Sequence, residues 1–311
     1  MIEFDGRVAI VTGAGGGLGR TYALELARRG AAVVVNDLGG ARDGAGADTT
    51  AADRVVAEIR EAGGRAIADH GSVTDPEAGQ AMVDRAVSEF GGVDILINNA
   101  GILRDRSAAK LTPGDVDAVL DVHLRGAFNV TLPAYRVMKA AGYGRIVFTS
   151  SIAGLLGNFG QANYGAAKMG LVGLANVISV EGERYGVLAN SIAPIALTRM
   201  TEDLIGPGRE MLAPEWVTPL VTYLVSERCE VTREIFSVGG GRYARMFVGV
   251  TPGWFTPGSV PSAEDVWEHL ADIRDIDDFS LLRSAPEESA LLASMMQAHL
   301  APSEQGDLSN A

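Results

Sequence analysis

The sequence predicts an α/β protein built on a doubly wound, Rossmann-like parallel sheet, and three observations carry that prediction. Short β-branched runs alternate with longer segments of helical spacing, the runs are apolar nearly throughout, and the first of them passes directly into a glycine-rich turn. A strand with no polar face must be buried on both sides, which a parallel sheet covered by crossover helices provides.

The strands read in order as RVAIVTG, AAVVVND, RAIAD, VDILINNAG, GRIVFTSS and VLANSIAP, followed by EIFSVGG near residue 235. Between them, apolar residues at helical spacing predict helices over residues 20–30, 51–63, 76–90, 113–141 and 164–184. The Gly- and Asp-rich stretch LGGARDGAGADTT, residues 38–50, reads as a long loop after the second strand. From Arg242 the pattern changes: prolines recur between Thr251 and Pro261, and two further helical stretches follow in SAEDVWEHLADIRDI and PEESALLASMMQAHL. The last residues, 301–311, are expected to fray.

With 311 residues, 47% of them apolar and 21% charged, the chain can bury a sizeable core. Cys229 is the single cysteine, so no intrachain disulfide can form, and a reducing, cytoplasmic setting is expected. The start, MIEFDGRVAIVTGAG, lacks the basic and long apolar regions of a secretory signal, and no run reaches the roughly 18 apolar residues of a membrane span. A net charge of −13 disfavours nucleic acid as a partner. His70, His123, His269, His299 and Cys229 lack ligand spacing, so no metal site is expected.

In VAIVTGAGGGLGR, Gly13, Gly17 and Gly19 fall between a strand and a helix, with Gly16 and Leu18 among them. Missing side chains let a pyrophosphate approach backbone N–H groups at a helix N-terminus, which favours negative charge. Asp37 closes the second strand about 20 residues beyond the glycines, where a carboxylate accepts hydrogen bonds from the adenosine ribose hydroxyls. A 2′-phosphate would meet like charge there, so NAD is expected rather than NADP, although Arg42 follows as the nearest downstream cation. Residues 1–241 are therefore expected to form a dinucleotide-binding domain that includes the catalytic site. Residues 242–311 are expected to form an extension packed on that domain or on a partner subunit.

The stretch SIAGLLGNFGQANYGAAK supplies candidate chemistry. Tyr164 and Lys168 are four apart and share one helix face. A free phenol, with pKa near 10, is a poor base at neutral pH, and a close ammonium favours its phenolate. Tyr164 is then a candidate general base for an alcohol proton, and Ser151, more than Ser150 by spacing, a candidate donor to the reacting oxygen. A serine hydrolase is not indicated, because Ser151 lacks the G-x-S-x-G elbow.

Together, the glycine run, NNAG at residues 98–101, and Ser151, Tyr164 and Lys168 resemble the short-chain dehydrogenase/reductase family over roughly residues 5–241. Within it, GGLGRTYALELARRGAAVVVNDLGG, NNAGILRDRS, VHLRGAF and GNFGQANYGAAKMGL look like the (3R)-hydroxyacyl-CoA dehydrogenase part of peroxisomal multifunctional β-oxidation enzymes. They also resemble its bacterial relatives, several of which act on steroid side-chain CoA esters. The resemblance implies that Ser72 and Val73 lie at the adenine end, Asn99, Ala100 and Gly101 beside the adenosine ribose, and Thr198 at the carboxamide. It also gives Lys168 the nicotinamide ribose hydroxyls. His123 falls where most of the family has a relay Asn, so it is either a relay member or a hydrogen-bonded structural residue. Pro194-Ile195 replaces the common Pro-Gly.

The resemblance further implies NAD-dependent oxidation of a (3R)-3-hydroxyacyl-CoA, a steroid-CoA among the candidates, by a homodimer or homotetramer. The segment TRMTEDLIGPGREML would be a lid, with Met200, Leu204, Ile205, Met211 and Leu212 as an apolar wall and residues 206–208 as a hinge. Arg104 and Arg106 are either CoA phosphate contacts or surface ion pairs. The alternatives are a 17β-hydroxysteroid dehydrogenase acting on free steroid and a non-catalytic NAD-sensing protein.

Overall fold

The computed structural model describes residues 1–197 and 209–300. In chain order the first elements are β1 (Val8–Thr12), α1 (Gly17–Arg28), β2 (Ala32–Asn36), α2 (Thr50–Glu61), β3 (Arg65–Asp69), α3 (Pro76–Phe90) and β4 (Ile95–Asn98). They continue with α4 (Pro113–Leu120), α5 (Gly126–Ala141), β5 (Gly144–Thr149), α6 (Ile152–Leu156), α7 (Ala162–Gly182), β6 (Val187–Pro194), α8 (Thr218–Leu224), β7 (Ile235–Gly239) and β8 (Arg242–Met246). One sheet runs in the order β3-β2-β1-β4-β5-β6-β7-β8. All neighbours are parallel except β7 and β8, which are antiparallel.

The apolar strands are buried as expected: every residue of β1, β2, β4 and β5 is inaccessible. Two apolar clusters cover the two faces, one built around Val33, Ile95 and Leu224, the other around Ile10, Leu96 and Phe148. Alternate residues of one strand enter opposite clusters, as the pleat requires. Local signals set the helix starts. Pro76 opens α3 behind Asp75, whose side chain accepts from the Glu77 N–H, and Thr112 forms a capping box with Asp115 at α4.

Two departures from the sequence reading matter. The single helix expected over 113–141 is interrupted by a π-helical turn, Asp121–Arg125, that adds a residue to the winding and carries His123. The sheet also runs past Gly241, because β8 folds back on β7 through Gly239↔Arg242. A glycine-led turn reverses the chain there, so the compact unit ends at Met246.

The second unit starts at Phe247 and contains α9 (Ala263–Glu268), α10 (Leu270–Ile273) and α11 (Ala285–Leu300). Phe247 stacks on Phe279 and Trp254 on His269, with ring centroids 5.2 and 4.1 Å apart. None of its described residues is buried, and Trp267, Ile276 and Leu300 are largely exposed. Among the described residues, no helix is long and apolar enough to cross a membrane.

Candidate active site

Strand order reverses between β1 and β4, and the crevice this leaves at the carboxyl ends of the strands is the natural ligand site of such a sheet. It holds a cleft of about 250 Å³. It is lined by Gly13, Gly16, Gly17 and Leu18 of the glycine loop, by Asp37, Ser72 and Val73, by Asn99, Ala100 and Gly101, and by His123, Ser151, Tyr164 and Lys168.

Gly13 has φ +63°, and a Cβ there would lie 2.8 Å from the Ala100 Cα, so β1 and β4 approach only because the residue is glycine. Gly19 does not line the cleft. It is buried, and a Cβ on it would meet the Gly13 carbonyl at 2.3 Å, so close packing of α1 on the turn requires glycine there. Asn99 locks the loop: its Nδ2 donates to the carbonyls of Thr12 and Gly13, both at 3.1 Å. Asn98 is structural, donating to Thr131 Oγ1 at 2.9 Å.

Asp37 follows β2 directly. Its Oδ2 accepts from Gly15 N–H at 2.7 Å and its Oδ1 from Gly39 N–H at 2.6 Å, fixing the carboxylate at the cleft edge. The loop beyond it is ordered by its own backbone: Ala41 N–H donates to Ala45 O, and Asp48 N–H to Leu38 O. Leu38, Gly40, Ala41, Arg42 and Gly44 thereby become cleft wall, a contribution that composition alone did not reveal.

A nicotinamide dinucleotide fits this donor set. A Cβ on Gly16 would meet nothing within 4 Å, so the residue at the N-cap of α1 leaves open space where a pyrophosphate approaches the first N–H groups of the helix.

Ser151 caps α6, accepting from Ala153 N–H at 3.1 Å, and its hydroxyl acts on the Tyr164 phenol to lower its pKa. Ser150 is committed elsewhere, donating to the Lys168 carbonyl at 2.8 Å. Lys168, 3% exposed, donates from Nζ to the Thr149 carbonyl at 2.5 Å, and the Nζ lies 5.4 Å from the Tyr164 ring centroid. Burial pulls the Lys168 pKa down to about 7. Burial also pushes the Tyr164 phenol up to about 12, opposed by the Ser151 hydrogen bond and reinforced by the Asp105 charge. Burial is thus the largest cause acting on the Tyr164 phenol, and Lys168 is not among the causes that shift it, so the lowering suggested by the spacing is not found.

His123 is buried, with its ring edge-on to Tyr164 at 5.2 Å. Its Nε2 lies 2.8 Å from the Ile102 carbonyl and 3.1 Å from the Ile102 N–H, while its Nδ1 has no partner among the described residues. Burial, and then the Lys168 charge, hold it well below the ordinary histidine pKa, so it is a neutral imidazole.

Arg106 pairs with Asp115 at 2.9 Å, and Arg104 donates to the Asp43 carbonyl at 2.9 Å. Of the expected lid, Met211 and Leu212 are described, Met211 as exposed and Leu212 as half-buried. Thr198, Met200, Leu204, Ile205 and the 206–208 hinge lie outside the described residues. Asn163, next to the candidate base, was not singled out by the sequence reading. Only its position beside Tyr164 pointed to it.

The short chain dehydrogenase family model matches residues 7–205. The chain belongs to the short-chain dehydrogenase family. It is an oxidoreductase of a family that uses NAD or NADP. The mouse peroxisomal multifunctional enzyme type 2 is 48% identical over 277 residues, covering 87% of this chain and 37% of that enzyme. A hydroxyacyl-CoA dehydrogenase of Mycobacterium tuberculosis is 42% identical over 254 residues, covering 76% of this chain and 78% of its own length. The structure of full-length peroxisomal multifunctional enzyme type 2 from Drosophila melanogaster superposes with a TM-score of 0.81 at 40% identity. It covers 96% of this chain and 50% of that one. This short-chain dehydrogenase thus spans 37% of the mouse enzyme and 50% of the Drosophila one.

Proposed function

We propose that this short-chain dehydrogenase oxidises a (3R)-3-hydroxyacyl-CoA to the 3-oxoacyl-CoA with NAD, Tyr164 acting as general base. The observation that carries the proposal is the meeting of Ser151, Tyr164 and Lys168 in the cleft that Asp37 and the glycine loop also wall. The hydroxyacyl-CoA dehydrogenase among its relatives supports the substrate class. Tyr164 and Ser151, which line the same cleft, would bind the substrate hydroxyl between them. Tyr164 takes its proton while Ser151 donates to the oxygen as its charge changes. NAD, held by the glycine loop and Asp37, would supply the hydride acceptor. Lys168, which donates to the Thr149 carbonyl, would hold the nicotinamide ribose hydroxyls. His123, with Nδ1 free and one edge on Tyr164, is suited to carry protons through a bridging water.

The test is turnover, followed by nicotinamide absorbance, of (3R)- and (3S)-hydroxyacyl-CoA esters, fatty and steroidal, beside free 17β-hydroxysteroids. The expected result is NAD-dependent oxidation confined to the (3R)-CoA esters. Turnover of free steroid alone would reassign the substrate, and no turnover of any of them would leave a nucleotide-sensing protein.

The Asp37 carboxylate, which lines the cleft, supports NAD over NADP because it would accept hydrogen bonds from ribose hydroxyls and repel a 2′-phosphate. Asp37→Ala is expected to raise the KM for NAD about 10- to 100-fold, the worth of one or two charge-assisted hydrogen bonds, and to narrow the gap to NADP. Steady-state kinetics with both coenzymes checks this.

We further propose a homodimer or homotetramer. Val177 and Val180 of α7 are each 54% exposed, and the second unit buries none of its described residues, so both present apolar surface suited to a second copy. The single, buried cysteine suits a cytoplasmic setting.

A further inference from the structure

We infer that Asn163 is a positioning residue for Tyr164, fixing the backbone of the base through hydrogen bonds that the first turn of α7 would otherwise lack. The inference rests on the reading of Tyr164 as the base.

The first N–H groups of a helix have no intrahelical partner, and an N-cap side chain ordinarily satisfies one of them. In α7 the N-cap is Gln161, and its side chain makes no capping bond. It reaches outward instead, donating to Asp105 Oδ2 at 2.8 Å. The Tyr164 N–H would then be an orphan at the catalytic position itself. Asn163 Oδ1 accepts it at 2.8 Å.

The same side chain is held from its other end. Its Nδ2 donates to the carbonyls of Arg104 and Asp115, each at 3.1 Å. Asn163 is only 3% exposed, so a hydrogen bond of its amide left unmade is costly. The anchors are themselves fixed. Arg104 donates from Nε to the Asp43 carbonyl in the loop that walls the coenzyme cleft, and Leu103 N–H donates to the Arg42 carbonyl of that loop. Asp115 is tied to Arg106 and to the capping box of α4. One amide therefore joins the candidate base to the coenzyme-side loop and to α4. Ser and Thr could accept the Tyr164 N–H, but only an amide also supplies two donors to the carbonyls behind it.

A displacement of about 1 Å in a reacting group can cost about 100-fold in rate without loss of binding. Asn163→Ala removes all three bonds, while Asn163→Asp keeps an acceptor for the Tyr164 N–H. The measurements are kcat, KM for the acyl-CoA, NADH affinity by fluorescence, and thermal unfolding, in the full chain and in a Tyr164→Phe background. The expected result is a 10- to 100-fold loss of kcat in Asn163→Ala, a smaller loss in Asn163→Asp, and NADH affinity within threefold of the unaltered chain. Neither substitution should lower the residual rate of Tyr164→Phe further, because a residue acting through the base has nothing left to position.

The inference is overturned if a folded Asn163→Ala keeps kcat within twofold, if NADH affinity falls in step with kcat, or if the same loss recurs in the Tyr164→Phe background. Should Asn163→Ala not fold, Asn163→Asp carries the comparison, and failure of both to fold would assign Asn163 to stability alone. Full activity of Tyr164→Phe would instead sink the reading of the base, which separates the two.

Discussion

Tyr164→Phe should lower kcat by about 10²- to 10⁴-fold, the usual worth of a positioned acid–base group, while NADH binding stays intact. The substitution removes one oxygen from a half-buried ring and leaves the packing against His123 unchanged. Ser151 keeps its bond from Ala153 N–H. Single-turnover and steady-state rates with a (3R)-hydroxyacyl-CoA, beside NADH fluorescence, give the comparison. A fall in binding equal to the fall in rate would show that the hydroxyl serves the cleft's shape and not the proton transfer.

Lys168→Met should abolish most turnover and also change how stability depends on pH. In the unfolded chain the lysine keeps its proton to about pH 10.4. In the folded, unliganded chain burial brings it down to about 7. Between those values the unfolded state binds more protons, so stability rises as pH goes from 7 towards 10.5 and is lost again as pH falls through that window. Full burial bounds the effect at about 5 kcal/mol. Methionine cannot titrate, so the variant's stability should lack this slope. Its cost is the Thr149 carbonyl left without a donor, about 1–3 kcal/mol. Urea unfolding of both proteins at several pH values across 7–10 tests the sign, and parallel curves would refute it.

How much of this molecule was legible in its sequence can be judged element by element. VAIVT and AVVVN are apolar up to their last residues, Thr12 and Asn36, and both became fully buried parallel strands, because a parallel sheet covered by helices buries both faces. Residues 76–90 were read to the residue, since Pro76 begins that helix and a glycine in the left-handed conformation, Gly91, ends it. RYARM was not read as a strand. It alternates weakly, lies on the sheet edge and depends on β7 for its partner. Likewise, nothing in DVHLR announces a π turn, because one extra residue in a helix leaves the apolar spacing almost unchanged.

The candidate site divides in the same way. The order of glycines, Asp37, Ser151, Tyr164 and Lys168 was set by the sequence alone, because each follows a strand end or shares a helix turn, and local geometry places it. What only the tertiary structure decided is what surrounds them. Gly19 turned out to face the Gly13 carbonyl and not the cleft, and the loop after Asp37 became a wall by bonding to residues 103 and 104. Asn163 found its carbonyl partners some fifty residues away, in Arg104 and Asp115. The pKa values of Tyr164 and Lys168 moved by burial, in the opposite sense to what their spacing suggested for the tyrosine. Motif spacing is a local property that the chain carries with it, whereas desolvation and long-range hydrogen bonds exist only once distant segments have been brought together and water has been expelled.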